Sequence, residues 1–515
     1  MSEVSGRQAH SKKYTDVYEV IPGYAFVGIR NDPSSNKLIY EVIEPTVSET
    51  EQQILEQLKH YLVNQWVAPV GLDNPIAASG SLEKAVNEVI KRYKVKIDQP
   101  SLQKILYFLK RDFLEYGKIT VLLKDPNNED VACNGVGIPI YVVNRRYGEL
   151  QTNVVFESEA ELDGMIERLA FLANRDISLA RPIADGILPN GDRVLVTYRN
   201  EVSGGGSTFT IRNVRTDPFT IVDLLRSKTL DFLEAAYVWK LMELKRSVAV
   251  IGSTGAGKTT LLNALLDLLD PRSRIITIEE TPELRLEKEN WVSLHSKGME
   301  GDQSSISLFD LLKASLRQRP DYIIVGEIRG QEAVTFFQAI MTGHGGMTTI
   351  HADSMEAMMN RLISPPISVS PALIPAISAV ISIGRVMTKN GFVRRVVSVT
   401  EITGYDPKTE RVESNEYCSW NPNADIVSYN DSKVLASVAE LSKVDPKVLS
   451  QDLLDKSEYL KWLVNKGISG RVELEKALRS YYKDPRAAII TARLENAEKE
   501  LRLQKNLGVA RLESA

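Results

Sequence analysis

The stretch Ile251-Gly252-Ser253-Thr254-Gly255-Ala256-Gly257-Lys258-Thr259-Thr260 constrains the fold of this chain more than any other. The apolar run SVAVIG leads into it, and the leucine-rich run LLNALLDLL follows. A glycine-rich loop between a buried strand and a helix is the context that the phosphate-binding pattern GxxxxGK[ST] requires. Glycines let successive backbone N–H groups wrap phosphate oxygens, and the helix N-terminus adds partial positive charge. The pattern assigns Gly252 through Thr260 to nucleotide contact. It gives Lys258 to the β- and γ-phosphates and the Thr259 hydroxyl to Mg²⁺. Kinases, helicases, switches and motors all use such a loop, so function must come from what surrounds it.

From residue 247 the text alternates between strand and helix. SVAVIG, RIITIEE, DYIIVGEI and GMTTIHA read as strands, separated by KTTLLNALLDLL, SISLFDLLKASLRQ and QEAVTFFQAIMTG as helices. Alternation of this kind predicts an α/β domain with a parallel sheet covered by helices on both faces. AVISIGRVMTKNGFVRRVVSVTEI then reads as a hairpin over Asn390-Gly391. Upstream, YEVIPGYAFVGIR and LIYEVIEP are extended pieces, and Ser48 with Glu51 marks a capped helix start. IPIYVVNRRYGELQTNVVF reads as a hairpin at Tyr147-Gly148, and ADGILPNGDRVLVTYRN as a strand pair over a Pro-Asn-Gly turn. SGGGS, residues 203–207, signals a mobile connection or a close backbone approach to a ligand. The expected organisation is an N-terminal α+β domain over 1–217 with a mobile tail to about residue 15. An interdomain linker over 218–235, the motor domain over 236–432 and a helical, charged C-terminal extension over 433–515 follow.

At 515 residues the chain needs two or three domains. Its net charge of -4 sets up no overall field toward nucleic acid or an anionic membrane. Cys133 and Cys418 are far apart and form no CxxC, which excludes a four-cysteine zinc site and fits two small buried thiols in a reducing compartment. The N-terminus lacks the apolar segment of a signal peptide. The most apolar late stretch, residues 364–386, is broken by prolines and serines and should not span a bilayer. The expectation is a soluble protein with at most a peripheral membrane role.

A phosphate loop needs an acidic partner on a second strand. Glu327 follows the apolar run Tyr322 to Val325, at the carboxyl end where such sheets bind ligands, and can position Mg²⁺ or its water. TIEETPEL places Glu279, Glu280 and Glu283 after another strand, a density of acids that suits a cation or an activated water. TGHGGMTTIHADS carries His344 and His351, which can sense a γ-phosphate or orient a side chain but make a poor zinc ligand set.

In this order, the phosphate loop, TIEETPEL, GEIRG and TGHGGMTTIHADS resemble the type II/IV secretion and type IV pilus ATPase superfamily. LPNGDRVLVTY resembles the signature of its N-terminal domain. NEDVACNGVGIPIYVVNRRYG, YEVIPGYAFVGIR and RRVVSVTEITGYD look like the archaeal branch, whose members drive archaeal pili and the archaellum. The whole chain reads most like the archaellum motor ATPases.

The resemblance implies a RecA-like P-loop core and a cytoplasmic Mg-dependent ATPase on the inner face of the membrane. It implies a homo-hexamer ring working with a polytopic membrane platform protein and accessory cytoplasmic archaellum or pilus proteins. Lys258 and Thr259 are then the nucleotide and Mg²⁺ residues, and Glu327 the second-strand acid. Glu283 activates water, with Glu279 as the alternative. Glu279 and Glu280 are further metal candidates, although Glu280-Thr281 stands where the family often has Asp-Pro. His344 and His351 match the histidine box. Arginines of the family complete the site, and Arg193, Arg212 and Arg215 are the candidates, with Arg317, Arg319 and Arg329 as others. An archaeal adhesive-pilus or type II secretion-like ATPase shares the same motifs. A nucleic-acid motor would want a basic, aromatic-lined channel, against a negative chain that is 7% aromatic, so no nucleic-acid partner is expected. A small-molecule kinase would need an acceptor pocket and a lid, which no motif supplies.

Overall fold

The computed structural model describes residues 14–33, 37–66, 75–214, 218–297, 305–388 and 391–513. Two compact units divide the chain, Met1–Thr216 and Asp217–Ala515. The expected mobile tail lies almost wholly outside the described residues.

The first unit is α+β. Its strands are β1 (Asp16–Ile21), β2 (Ala25–Asn31), β3 (Leu38–Ile43), β4 (Asn128–Cys133), β5 (Pro139–Asn144), β6 (Gly148–Val155), β7 (Ile183–Ile187), β8 (Arg193–Thr197) and β9 (Thr208–Arg212). Among the described residues they form one sheet, ordered β1-β2-β3-β6-β5-β4-β9-β8-β7. Both hairpins read from turn residues are present: β5 pairs antiparallel with β6 through Asn144 and Gly148, and β7 with β8 through Ile187 and Arg193. The helix Glu49–Gln65 starts with the expected capping box, in which Ser48 and Glu51 satisfy each other's backbone. SGGGS joins β8 to β9, and a Cβ on Gly135 would come within 2.7 Å of the Gly205 carbonyl. The close backbone approach is therefore to the chain itself. Cys133 is buried in this unit and Cys418 in the second, and burial raises both thiols.

The second unit holds β10 (Ser247–Gly252), β11 (Ile275–Glu279), β12 (Trp291–His295), β13 (Tyr322–Val325), β14 (Gly345–His351), β15 (Ile377–Thr388), β16 (Gly391–Asp406), β17 (Arg411–Asn421) and β18 (Ile426–Tyr429). The sheet order is β12-β11-β13-β14-β10-β15-β16-β17-β18 among the described residues. From β12 to β15 every neighbour runs parallel, and β15 to β18 are antiparallel. All six residues of β10 are buried. Val248 and Val250 pack in one apolar cluster with Leu261, Leu262 and Leu265, while Ala249 and Ile251 pack in another with Ile323 and Phe336. Burial on both faces is what a near-continuous apolar strand demands. The expected hairpin after β15 is present, with Thr388 opposite Gly391; residues 389–390 lie outside the described set.

The stretch 218–235, expected as a linker, is part of this second core. Thr220 with Asp223 and Asp231 with Glu234 form two capping boxes, starting the helices Ile221–Arg226 and Phe232–Glu243. Ile221, Val222, Leu224, Leu225 and Leu230 are buried. The C-terminal helices Lys433–Ser442, Pro446–Lys466, Arg471–Lys483 and Pro485–Glu513 share that core through Leu435, Leu460, Leu478 and Ile489 respectively. Glu401 of β16 anchors them, accepting from Ser432 and from the Lys433 N–H.

Candidate nucleotide site

The parallel register sets Gly252 opposite His351 of β14, and Ile251 opposite Ser382 of β15. The carboxyl ends of β10, β11, β13 and β14 therefore lie along one edge of the sheet, where α/β folds bind ligands. Gly252 admits no side chain, because a Cβ would meet the Ile383 carbonyl at 2.4 Å. Gly255 and Gly257 take φ of 72° and 99°, the left-handed region that favours glycine, and the helix Lys258–Leu266 starts directly behind them. Lys258 Nζ donates to the carbonyls of Gly252 and Ser253, both at 3.0 Å. Burial pushes this ammonium below its usual range, and Glu327 partly opposes the shift.

Two neighbours grip the loop. His351 Nε2 lies 2.6 Å from the Thr254 hydroxyl, and its own carbonyl accepts from Arg361 at 3.1 Å. Arg394 of β16 donates to the Gly255 carbonyl. Reading the sequence missed Arg394. Its segment, GFVRRVV, is plain strand text, and only the sheet order carries it beside the loop.

Arg329 joins two of the expected acids. Its guanidinium bonds Glu327 at 2.6 Å and Glu280 at 3.0 Å, so the ends of β13 and β11 meet over one cation. Glu283 is half-buried in the same segment. Glu279 is 3% exposed and turned inward. Its Oε1 accepts from the N–H groups of Glu283 and Leu284 at 2.9 and 3.0 Å, and its Oε2 is buried with no hydrogen-bond partner among the described residues. Gly326 makes room for it, since a Cβ there would lie 3.0 Å from Glu279 Cγ. In contrast to the expected cation-facing acid, Glu279 braces the loop that carries Glu283.

Burial raises the Glu279 carboxyl to about 7 from an ordinary 4.5. A raised carboxyl contributes stability that is complete below about pH 4.5 and is lost as pH rises through about 7. Glu279→Gln carries no such loss. Relative to the parent it should gain about 2–3 kcal/mol as pH moves from 5 to 7.5. Denaturation midpoints of both proteins across that range check this, and a constant difference between them would contradict it.

The two histidines separate. His344 precedes β14 and His351 ends it, and seven residues of strand at about 3.3 Å each set them roughly 20 Å apart. His344 caps the preceding helix instead, with Nδ1 3.0 Å from the Ala339 carbonyl. Arg317 and Arg319 likewise precede β13 and stand at the amino edge of the sheet, leaving Arg329 as the one of those three at the carboxyl edge. In the first unit Arg193 and Arg212 are cross-strand partners on β8 and β9. Arg193 pairs with Asp185 at 2.8 Å and Arg212 with Asp130 at 3.1 Å. Those carboxylates offset the repulsion of two cations placed opposite each other. Arg215 lies outside the described residues.

A glycine loop between a buried strand and a helix, on a parallel sheet with acids beyond the ends of β11 and β13, is the arrangement of a P-loop nucleotide-binding fold. The type II/IV secretion system protein family matches residues 139–419, and the chain belongs to that family. An uncharacterized protein of Methanocaldococcus jannaschii is 30% identical over 502 residues, covering 92% of this chain and 90% of its own length. The conjugal transfer protein TrbB of Rhizobium radiobacter is 30% identical over 297 residues, 56% of this chain and 88% of TrbB. Among solved structures, the pilus retraction motor PilT with bound ADP is similar, with a TM-score of 0.41 and 18% identity over 66% of this chain and 91% of PilT.

Proposed function

We propose that the chain is a cytoplasmic ATPase that converts ATP binding and hydrolysis into domain motion, powering assembly or rotation of an archaellum, a type IV pilus-like filament. The observation that carries this reading is the shared sheet edge: the phosphate loop with Lys258, the His351–Thr254 bond, and the Glu327–Arg329–Glu280 bridge. Family membership supports an assembly or motor ATPase. The archaeal assignment draws on coverage, since the M. jannaschii relative spans 92% of the chain and TrbB 56%.

ATP suits the loop because its left-handed glycines would let successive backbone N–H groups wrap phosphate oxygens and Lys258 supplies a cation. Thr259 and Glu327 would hold Mg²⁺, which when bound neutralises phosphate charge. Glu283 would draw a proton from the attacking water, its backbone fixed by Glu279. His351 would hold Thr254 in register. Arg193, Arg212 and Arg215 would complete a site made by another domain or by a neighbouring subunit in a ring of six, with Arg193 exchanging Asp185 and Arg212 exchanging Asp130 for phosphate charge. No helix among the described residues is long and apolar enough to cross a membrane. Docking to a polytopic platform protein at the inner face of the membrane, with accessory cytoplasmic proteins, accords with that.

Deleting the gene in its native organism tests the assignment. Cells should lose the archaellum and swimming, and recover both from the parent gene but not from one carrying Lys258→Ala. Loss of adhesive pili with intact archaella would move the protein to the pilus-assembly alternative. Unchanged surface filaments of both kinds would refute the assignment.

A further inference from the structure

β10 sits between β14 and β15, so the phosphate loop at its end is open to contact from two flanks. His351 takes one. The other belongs to the β15–β16 hairpin, which runs on past the end of β10: Ile251 is opposite Ser382, and β15 continues to Thr388. Arg394 lies on this overhang, opposite Arg385. Its Nε and Nη2 both donate to the Gly255 carbonyl, at 3.3 and 3.2 Å. Its stem packs on Gly257, where a Cβ would come within 3.3 Å of Arg394 Cδ.

A loop that turns its N–H groups inward turns carbonyls outward, and those carbonyls need donors. Because the peptide unit is planar and trans, holding the Gly255 carbonyl outward also points the Ala256 N–H to the opposite side. That N–H donates to the Ser253 carbonyl at 3.3 Å, across the turn of the loop. Arginine suits the task because its charge is permanent and its fork brings two donors onto one oxygen.

We propose that Arg394 is a positioning residue of the nucleotide site: it fixes the Gly255–Ala256 peptide plane and thereby sets nucleotide affinity. The inference rests on the nucleotide-site reading above. It concerns binding, since Arg394 acts through the loop, while Glu283 and Glu327, proposed for the attacking water and Mg²⁺, follow β11 and β13.

The test uses the full chain with Arg394→Ala, Arg394→Gln and Arg394→Lys, a fluorescent ADP analogue for affinity, steady-state ATP hydrolysis, and melting of the nucleotide-free proteins. Loss of a charged hydrogen bond predicts affinity about ten-fold weaker in the Ala and Gln variants. KM should rise while kcat changes little. The Lys variant, charged but without the fork, should recover only part of the affinity. Parental affinity in Arg394→Ala would overturn the proposal; should that variant fail to fold, parental affinity in Arg394→Gln would do so. Lower melting with unchanged affinity would make Arg394 a structural contact and overturn it equally. A parent protein that binds no nucleotide would refute the site reading itself, and this inference with it.

Discussion

Lys258→Ala will cut ATP turnover at least about 100-fold, the scale of removing one preorganised charge donor from a reacting phosphate. The residue opens the helix behind the loop and is half-buried, with its ammonium held by two loop carbonyls. Burial disfavours its charge, so the position is costly for a lysine without a phosphate to serve. Alanine is the best helix former and leaves the packing of Leu261 and Leu262 below it intact, so the variant should stay folded. Phosphate release by purified protein, with circular dichroism as the folding control, measures the effect. Turnover close to the parental rate in a folded variant would remove Lys258 from the site.

Glu327→Gln should separate binding from chemistry. Glu327 follows the end of β13, its charge acts on Lys258, and it shares Arg329 with Glu280. Glutamine keeps the size and an acceptor for Arg329, and removes the charge. We expect turnover to fall by about 100-fold, the range of one positioned acid–base or charge-holding group, with nucleotide affinity nearly unchanged. Glu283→Gln should show the same division if that residue takes the proton from water. Titration with a fluorescent nucleotide, set beside hydrolysis rates, makes the comparison. Equal loss of affinity and turnover would place Glu327 in ground-state binding.

What was legible in the sequence is what period and local chemistry control. The apolar run before Gly252 and the leucine run after Thr260 specified strand, loop and helix. Turn residues at Tyr147-Gly148 and Pro189-Asn190-Gly191 located their hairpins. The capping boxes at Thr220 and Asp231 could have been read too. They use the same reciprocal geometry as Ser48, and overlooking them made a linker out of a buried segment. His344 and His351 needed only the strand rise of β14 to be separated. Two features were beyond a single sequence. The inward turn of Glu279 depends on Gly326 from another strand leaving room for it. The contact from Arg394 depends on β15 lying beside β10, a neighbour relation that a list of strands does not contain.

The most direct test of a shared-site ATPase is phosphate release from Mg-ATP by the purified chain, without any acceptor, across a dilution series with solution mass measured at each point. The account predicts hydrolysis that Lys258→Ala abolishes, activity per chain that rises with concentration, and an active species with the mass of a ring of six. No phosphate release from a folded protein at any concentration would contradict the ATPase. Full activity in a monomer at every dilution would contradict the shared site and leave Arg193 and Arg212 as partners of Asp185 and Asp130.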